Sequence, residues 1–262
     1  SPGEWTSLTA SNGTFVLPNS VTAKNVIVYG GNDLMTGNAF QGQLSSSAGA
    51  TVVNPFTTLI QSMVNSGLAG TVLDATNAIK SAFSLPATIN LMSYNPLTVL
   101  ANGSATAAEK SAALKVQVAS EQISTVIIHG ANVADIVSPG ATLQSAAAAV
   151  TVALAKAVID ASHSTGGTIN LAASTTVEQI MQAAFNETGA TITSAQISQI
   201  AHVTAANNAA AASATSITQL AQAADVAQGS ATNALIAGAN NNNFGSADAG
   251  FSGSSLTTAI DA

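Results

Sequence analysis

Arginine and cysteine are both absent from this 262-residue chain, and charge of either sign is sparse. Lys24, Lys80, Lys110, Lys115 and Lys156 are the entire basic complement, set against twelve acids. Only 6% of the residues are charged, where a soluble domain carries about 25%. Without arginine the planar fork that grips phosphate and carboxylate is missing. A net charge of −7 and a pI near 4.5 lack the basic footprint of a nucleic-acid binder and disfavour anionic membrane surfaces. Without cysteine there are no disulfides and no thiolate metal sites, but a chain of this length buries a sizeable core without them. Ten aromatic residues leave little for stacking on ligands.

Long apolar runs are missing too. The most apolar stretch, residues 146–159, is mostly alanine and reads as a buried or half-buried helix, too short and too weakly hydrophobic for a membrane span. Ser1-Pro2-Gly3-Glu4-Trp5 has neither the basic start nor the apolar run of a signal peptide. The chain therefore reads as a mature form, a fragment, or a protein exported by a C-terminal signal. Solubility must come from Ser, Thr, Asn, Gln and Gly. With abundant alanine and an acidic pI, this composition resembles that of exported bacterial surface proteins, which implies an extracellular or cell-surface location.

The pattern divides the chain into residues 1–55, 56–237 and 238–262. The first part reads as a small β element, with strands at residues 14–17, 25–29, 40–44 and 51–53. At Asn54-Pro55 the period changes from 2 to 3.6. Asn54 suits an N-cap and Pro55 the first helical position. Phe56, Leu59, Ile60, Met63 and Val64 form one apolar stripe, and Gly67 is placed to stop the helix. Further helices are expected over residues 73–83, 96–100, 104–128, 139–161 and 174–185. Residues 87–91 read as extended. Thr168-Ile169-Asn170-Leu171 repeats Thr88-Ile89-Asn90-Leu91 eighty residues later, each time just before a helix. Residues 194–236 read as one helix or as two, broken near Asn207-Asn208 or Gly229. The Gly-, Ser- and Asn-rich tail reads as loosely ordered or docked through Phe244, Phe251 and Leu256. The fold class is α+β: a mainly helical array with a small N-terminal β element.

No combination of residues carries a catalytic signature. His129, His163 and His202 are not spaced as metal ligands and read as surface or cap histidines. The acids are dispersed, so no pair suggests acid–base partners. Gly30-Gly31-Asn32-Asp33 resembles half of a glycine-rich calcium-binding nonapeptide, making Asn32 and Asp33 the candidate metal ligands. Calcium needs about six to eight oxygens, more than this turn supplies, and a strand-end turn explains the same residues. Trp5, Tyr29 and Tyr94 are the candidate platforms for a glycan or a small apolar ligand.

One longer resemblance exists. Phe40-Gln41-Gly42-Gln43-Leu44, then Gly49-Ala50-Thr51-Val52-Val53-Asn54-Pro55-Phe56-Thr57-Thr58-Leu59, is similar to a module of very large secreted bacterial surface proteins, adhesin-like or matrix-forming. In that module a short β unit ends in GATVV-x-P-x-TTL and enters a helix. Leu85-Pro86, Ile89-Asn90-Leu91 and Tyr94-Asn95-Pro96 are similar to its LGLP…(I/V)DL…YDP segment. The likeness covers about residues 25–100. Asn90 and Asn95 stand where the module has aspartate, so any calcium ligation by those aspartates would not carry over.

The resemblance and the composition together imply a structural or adhesive building block of a bacterial surface layer, filament or biofilm matrix. It would act by self-association or against neighbouring surface-protein modules, without catalysis and without a required cofactor. A glycan- or small-apolar-ligand-binding module is the alternative. A hydrolase whose acidic pair only the fold brings together ranks behind both.

Overall fold

A computed structural model describes residues 6–10, 13–17 and 25–261. The fold is mainly helical, with a two-stranded antiparallel sheet near the N-terminus, as the α+β reading expects. Strand β1 (Asn25–Tyr29) pairs with β2 (Gln43–Ser47), with Ile27 opposite Ser45 and Val28 opposite Leu44. An Asn32–Ala39 bridge continues the hairpin towards its tip. Residues 14–17 and 51–53 are not strands, and the second strand begins three residues later than the alternation at residues 40–44 suggests. The serines of β2 owe their extended conformation to pairing with β1 and bonding to α1, not to intrinsic preference.

Eleven α-helices follow among the described residues. They are α1 (Pro55–Asn65), α2 (Val72–Ala82), α3 (Pro96–Ala101), α4 (Ala107–Val137), α5 (Leu143–His163) and α6 (Ser174–Thr188). Then come α7 (Ser194–Ser213), α8 (Ile217–Val226), α9 (Thr232–Asn240), α10 (Gly245–Gly250) and α11 (Gly253–Asp261). A π-helical turn, Ala227–Ala231, joins α8 to α9. Neutral side chains do the capping. Asn54, Thr71, Asn95, Thr106, Thr142, Thr193 and Ser216 each accept a backbone N–H in the first turn of their helix. Each such cap contributes on the order of 1 kcal/mol without a formal charge. Gly67, just beyond α1, takes the left-handed conformation at φ 72° that favours glycine.

The longest helix, α4, is 31 residues, about 46 Å at 1.5 Å per residue. It packs against α5, α7 and α9, and α5 against α1, α2 and α6. Close approach depends on small residues. A Cβ at Gly130 of α4 would stand 2.8 Å from Met181 Sδ on α6 and 2.9 Å from a Val150 methyl on α5. Between α1 and the end of α2, Phe56 and Phe83 meet edge to face with centroids 6.2 Å apart. By length and composition α5 is apolar enough to cross a membrane, longer than the run 146–159 suggests. In this fold Val150, Leu154 and Val158 bury one of its faces while Val152 stays exposed.

Residues 87–91 form turns, not an extended segment. Asn90 Oδ1 accepts the Met92 N–H at 3.1 Å, and in the second copy Asn170 Oδ1 accepts the Ala172 N–H at 3.0 Å. The two Thr-Ile-Asn-Leu copies thus share one Asx turn, each burying its leucine. Asn207 and Asn208 lie inside α7 and are buried; the break falls at residues 214–216. The Gly-, Ser- and Asn-rich tail carries α10 and α11, with Phe244 and Leu256 buried and Phe251 packed on the core.

Candidate functional site

Four-residue spacing places Gln117, Glu121, Thr125 and His129 on one face of α4, with Asn132 one further turn along. All five are buried. This polar ridge faces the π-helical turn, α7 and the hairpin loop between β1 and β2, so its bonds join segments far apart in sequence.

Glu121 is the acid at its centre. Gln117 Nε2 donates to its Oε1 at 2.9 Å, and Gln228 Nε2, from the π turn, approaches its Oε2 at 3.3 Å. Gln228 Oε1 in turn accepts from Thr36 Oγ1 at 3.2 Å. Burial pushes the Glu121 carboxyl up to about 7, and nearby Asp33 adds to the rise; the two glutamine donors oppose it. The loop is fastened beside this chain. Asn38 Nδ2 donates to Asp225 Oδ1 at 2.8 Å, and Asn132 Nδ2 donates to the Gln41 carbonyl at 3.2 Å. Asn38 also closes on Gly229, where a Cβ would stand 3.0 Å from its amide nitrogen.

His129 lies two turns further along α4 and is fully buried. Its Nε2 is 2.9 Å from the Ala227 carbonyl oxygen and its Nδ1 3.0 Å from Thr204 Oγ1. A carbonyl can only accept, so in the neutral ring Nε2 carries the proton and Nδ1 is an acceptor facing the Thr204 hydroxyl, whose single proton is shared with the Ile200 carbonyl at 2.8 Å. Burial pulls this imidazole down to about 4, against the bond to Ala227. The Ala227 carbonyl also accepts from Thr232 Oγ1 at 2.7 Å. His129 is therefore not the surface or cap histidine that its sequence context suggests: it is buried in the ridge. Glu121 was not singled out either. The signal available was the polar stripe at four-residue spacing on an otherwise apolar helix.

A carboxyl poised near neutrality and a neutral imidazole have the protonation properties of an acid–base pair. Both are spent on internal bonds. Two open clefts elsewhere, of about 350 and 240 Å³, are lined by neither. The ridge therefore acts as a tether that fixes the hairpin loop and the π turn to α4.

The residues singled out from sequence do not converge. Trp5 lies outside the described residues. Tyr29 is exposed on β1. Tyr94 lines the larger cleft with Thr88, Asn90, Ser93 and Glu109. Partial burial and the Glu109 carboxylate push its phenol up. Asn32 bridges to Ala39, and Asp33 Oδ1 accepts the Met35 N–H at 2.8 Å within the loop turn. Among the described residues no three His, Asp or Glu side chains are placed to hold a metal ion.

The exposed surface concentrates elsewhere. Ser45 of β2 donates its N–H to Thr58 Oγ1 at 2.9 Å and its carbonyl accepts from Thr57 Oγ1 at 2.9 Å. The start of α1 thereby closes the outer edge of β2. Ile27, opposite Ser45, must point its own N–H and C=O away from β2. No protein-family model, curated protein or solved structure matches this chain.

Proposed function

We propose that the chain is a structural or adhesive extracellular module of a bacterial surface, filament or biofilm-matrix protein, acting by self-association and not by catalysis. One observation carries the reading. Among the described residues nine large apolar side chains are exposed, and five of them lie in the first 34 positions: Leu8 (94%), Val16 (80%), Ile27 (50%), Tyr29 (74%) and Leu34 (70%). Ile27 and Tyr29 are alternate residues on the same face of β1, and adjoining exposed apolar side chains mark an association site where single scattered ones do not. Antibody labelling of intact source cells in the electron microscope tests the location. Surface label in ordered or clustered arrays is expected; label only after permeabilisation contradicts it.

A second reading rests on the Tyr94 cleft. Its phenol beside Asn90, Ser93 and Glu109 pairs one aromatic face with polar groups, the combination that suits a sugar ring. A glycan array should then show binding that Tyr94→Ala abolishes. Equal signals from both proteins, or none from either, would remove this reading.

A further inference from the structure

We infer that the outer edge of β1 pairs with β1 of a second copy, antiparallel, with Ile27 opposite Ile27. The inference deepens the self-association reading and rests on it. Because Ile27 faces away from β2, so do its alternate neighbours Asn25 and Tyr29. These three residues present their backbone N–H and C=O groups outward, and their side chains are exposed. Natural edge strands are ordinarily blunted by lysine, proline, a bulge or a covering segment. Here β2 is covered by the Thr57 and Thr58 hydroxyls, whereas Asn25-Val26-Ile27-Val28-Tyr29 has no charge, no proline and continuous register with β2.

The occupant follows from symmetry and charge. A twofold axis through Ile27 pairs all three described outward residues, matching Asn25 with Tyr29, Ile27 with Ile27, and Tyr29 with Asn25. That pairing forms about six backbone hydrogen bonds and a four-stranded sheet. A second copy brings the same charges to the same places, so self-pairing requires an edge without like charges. This strand has none. Ile27 would also lie diagonal to the Tyr29 of the other copy, a favourable aromatic–aliphatic cross-strand contact. A five-residue strand buries well under the ~1,000 Å² of a stable interface. The contact is therefore weak alone and gains strength when many copies are held together.

The absence of native cysteine makes the register directly testable. In the proposed pair, Ile27→Cys residues lie about 5.5 Å apart at Cα, whereas Tyr29→Cys residues are displaced by four positions, roughly 14 Å. A short bismaleimide should link the Ile27→Cys protein at least ~10-fold faster than Tyr29→Cys or the remote Leu73→Cys. Ile27→Lys should weaken association of the whole protein at least ~10-fold by sedimentation, while Leu73→Lys leaves it unchanged. If the wild-type chain associates but these probes do not discriminate, the edge pairing is wrong and self-association stands. If the wild-type chain stays monomeric at all concentrations, both fall. A monomer whose attachment to cells is lost with Ile27→Lys would assign the edge to a different partner and overturn the second copy.

Discussion

The ring of His129 joins α4 to the π-helical turn through its Nε2 contact to the Ala227 carbonyl, 98 positions along the chain. Two turns earlier on the same helix, Glu121 reaches that turn through Gln228. The pair has opposite pH dependences. Glu121 is raised from 4.5 to about 7, so the folded state holds its proton more tightly. Its contribution is full below pH 4.5 and is lost as pH rises to about 7. His129 is lowered from 6.5 to about 4. Its contribution is full above pH 6.5 and is lost as pH falls to about 4.

Between pH 4.5 and 6.5 the two slopes, each about 1.4 kcal/mol per pH unit, oppose each other. Denaturation across that window should show the difference between variants. Relative to the wild-type chain, stability of Glu121→Gln should gain a positive slope with pH, and that of His129→Gln a negative one. Parallel curves for all three proteins would show that neither group titrates as burial requires.

Removing a hydroxyl at the edge of β2 should be local. Thr58→Val takes away the acceptor of the Ser45 N–H, at a cost on the order of 1 kcal/mol for an unpaired, half-buried donor. Amide hydrogen exchange at Ser45 should accelerate while amides in the middle of α4 keep their protection. Unchanged Ser45 exchange would mean that the hydroxyl does not guard this edge.

Space at the crossing of α4, α5 and α6 is already filled. Gly130→Ala gains helix propensity, but its methyl would meet Met181 and Val150 at under 3 Å. Overpacking at about 1–3 kcal/mol outweighs the gain of up to ~1 kcal/mol. A lower denaturant midpoint with an unchanged slope is expected; a higher midpoint would show that the crossing has room.

Trypsin offers a simpler check. No lysine or arginine follows Lys156, so digestion of the unfolded chain should leave residues 157–262 as one fragment by mass spectrometry. Smaller tryptic pieces from that region would contradict the sequence itself.

Local chemistry made part of this fold legible and left the rest hidden. Asn54-Pro55 announces α1 because capping and the change of period act within a few residues. The same economy misleads at residues 87–91, where the Asn90 side chain bends a β-compatible segment into an Asx turn. Asn207 and Asn208 suggest a helix break by propensity, yet the asparagine amides find the Val203 and Leu171 carbonyls and remain inside α7. The tether between Glu121 and Gln228 spans 107 positions, and no local pattern encodes such a pairing. Scarcity of charge is plain in the sequence, but its structural counterpart is not: helix starts capped by hydroxyls and amides, and Glu121, the one buried acid among the described residues, held by two glutamines.

Sedimentation equilibrium of the purified chain over a wide concentration range tests self-association most directly. The average mass should climb above the monomer value of 25.7 kDa as concentration rises, and an Ile27→Lys protein should stay near it. A wild-type mass fixed at 25.7 kDa throughout would rule out self-association.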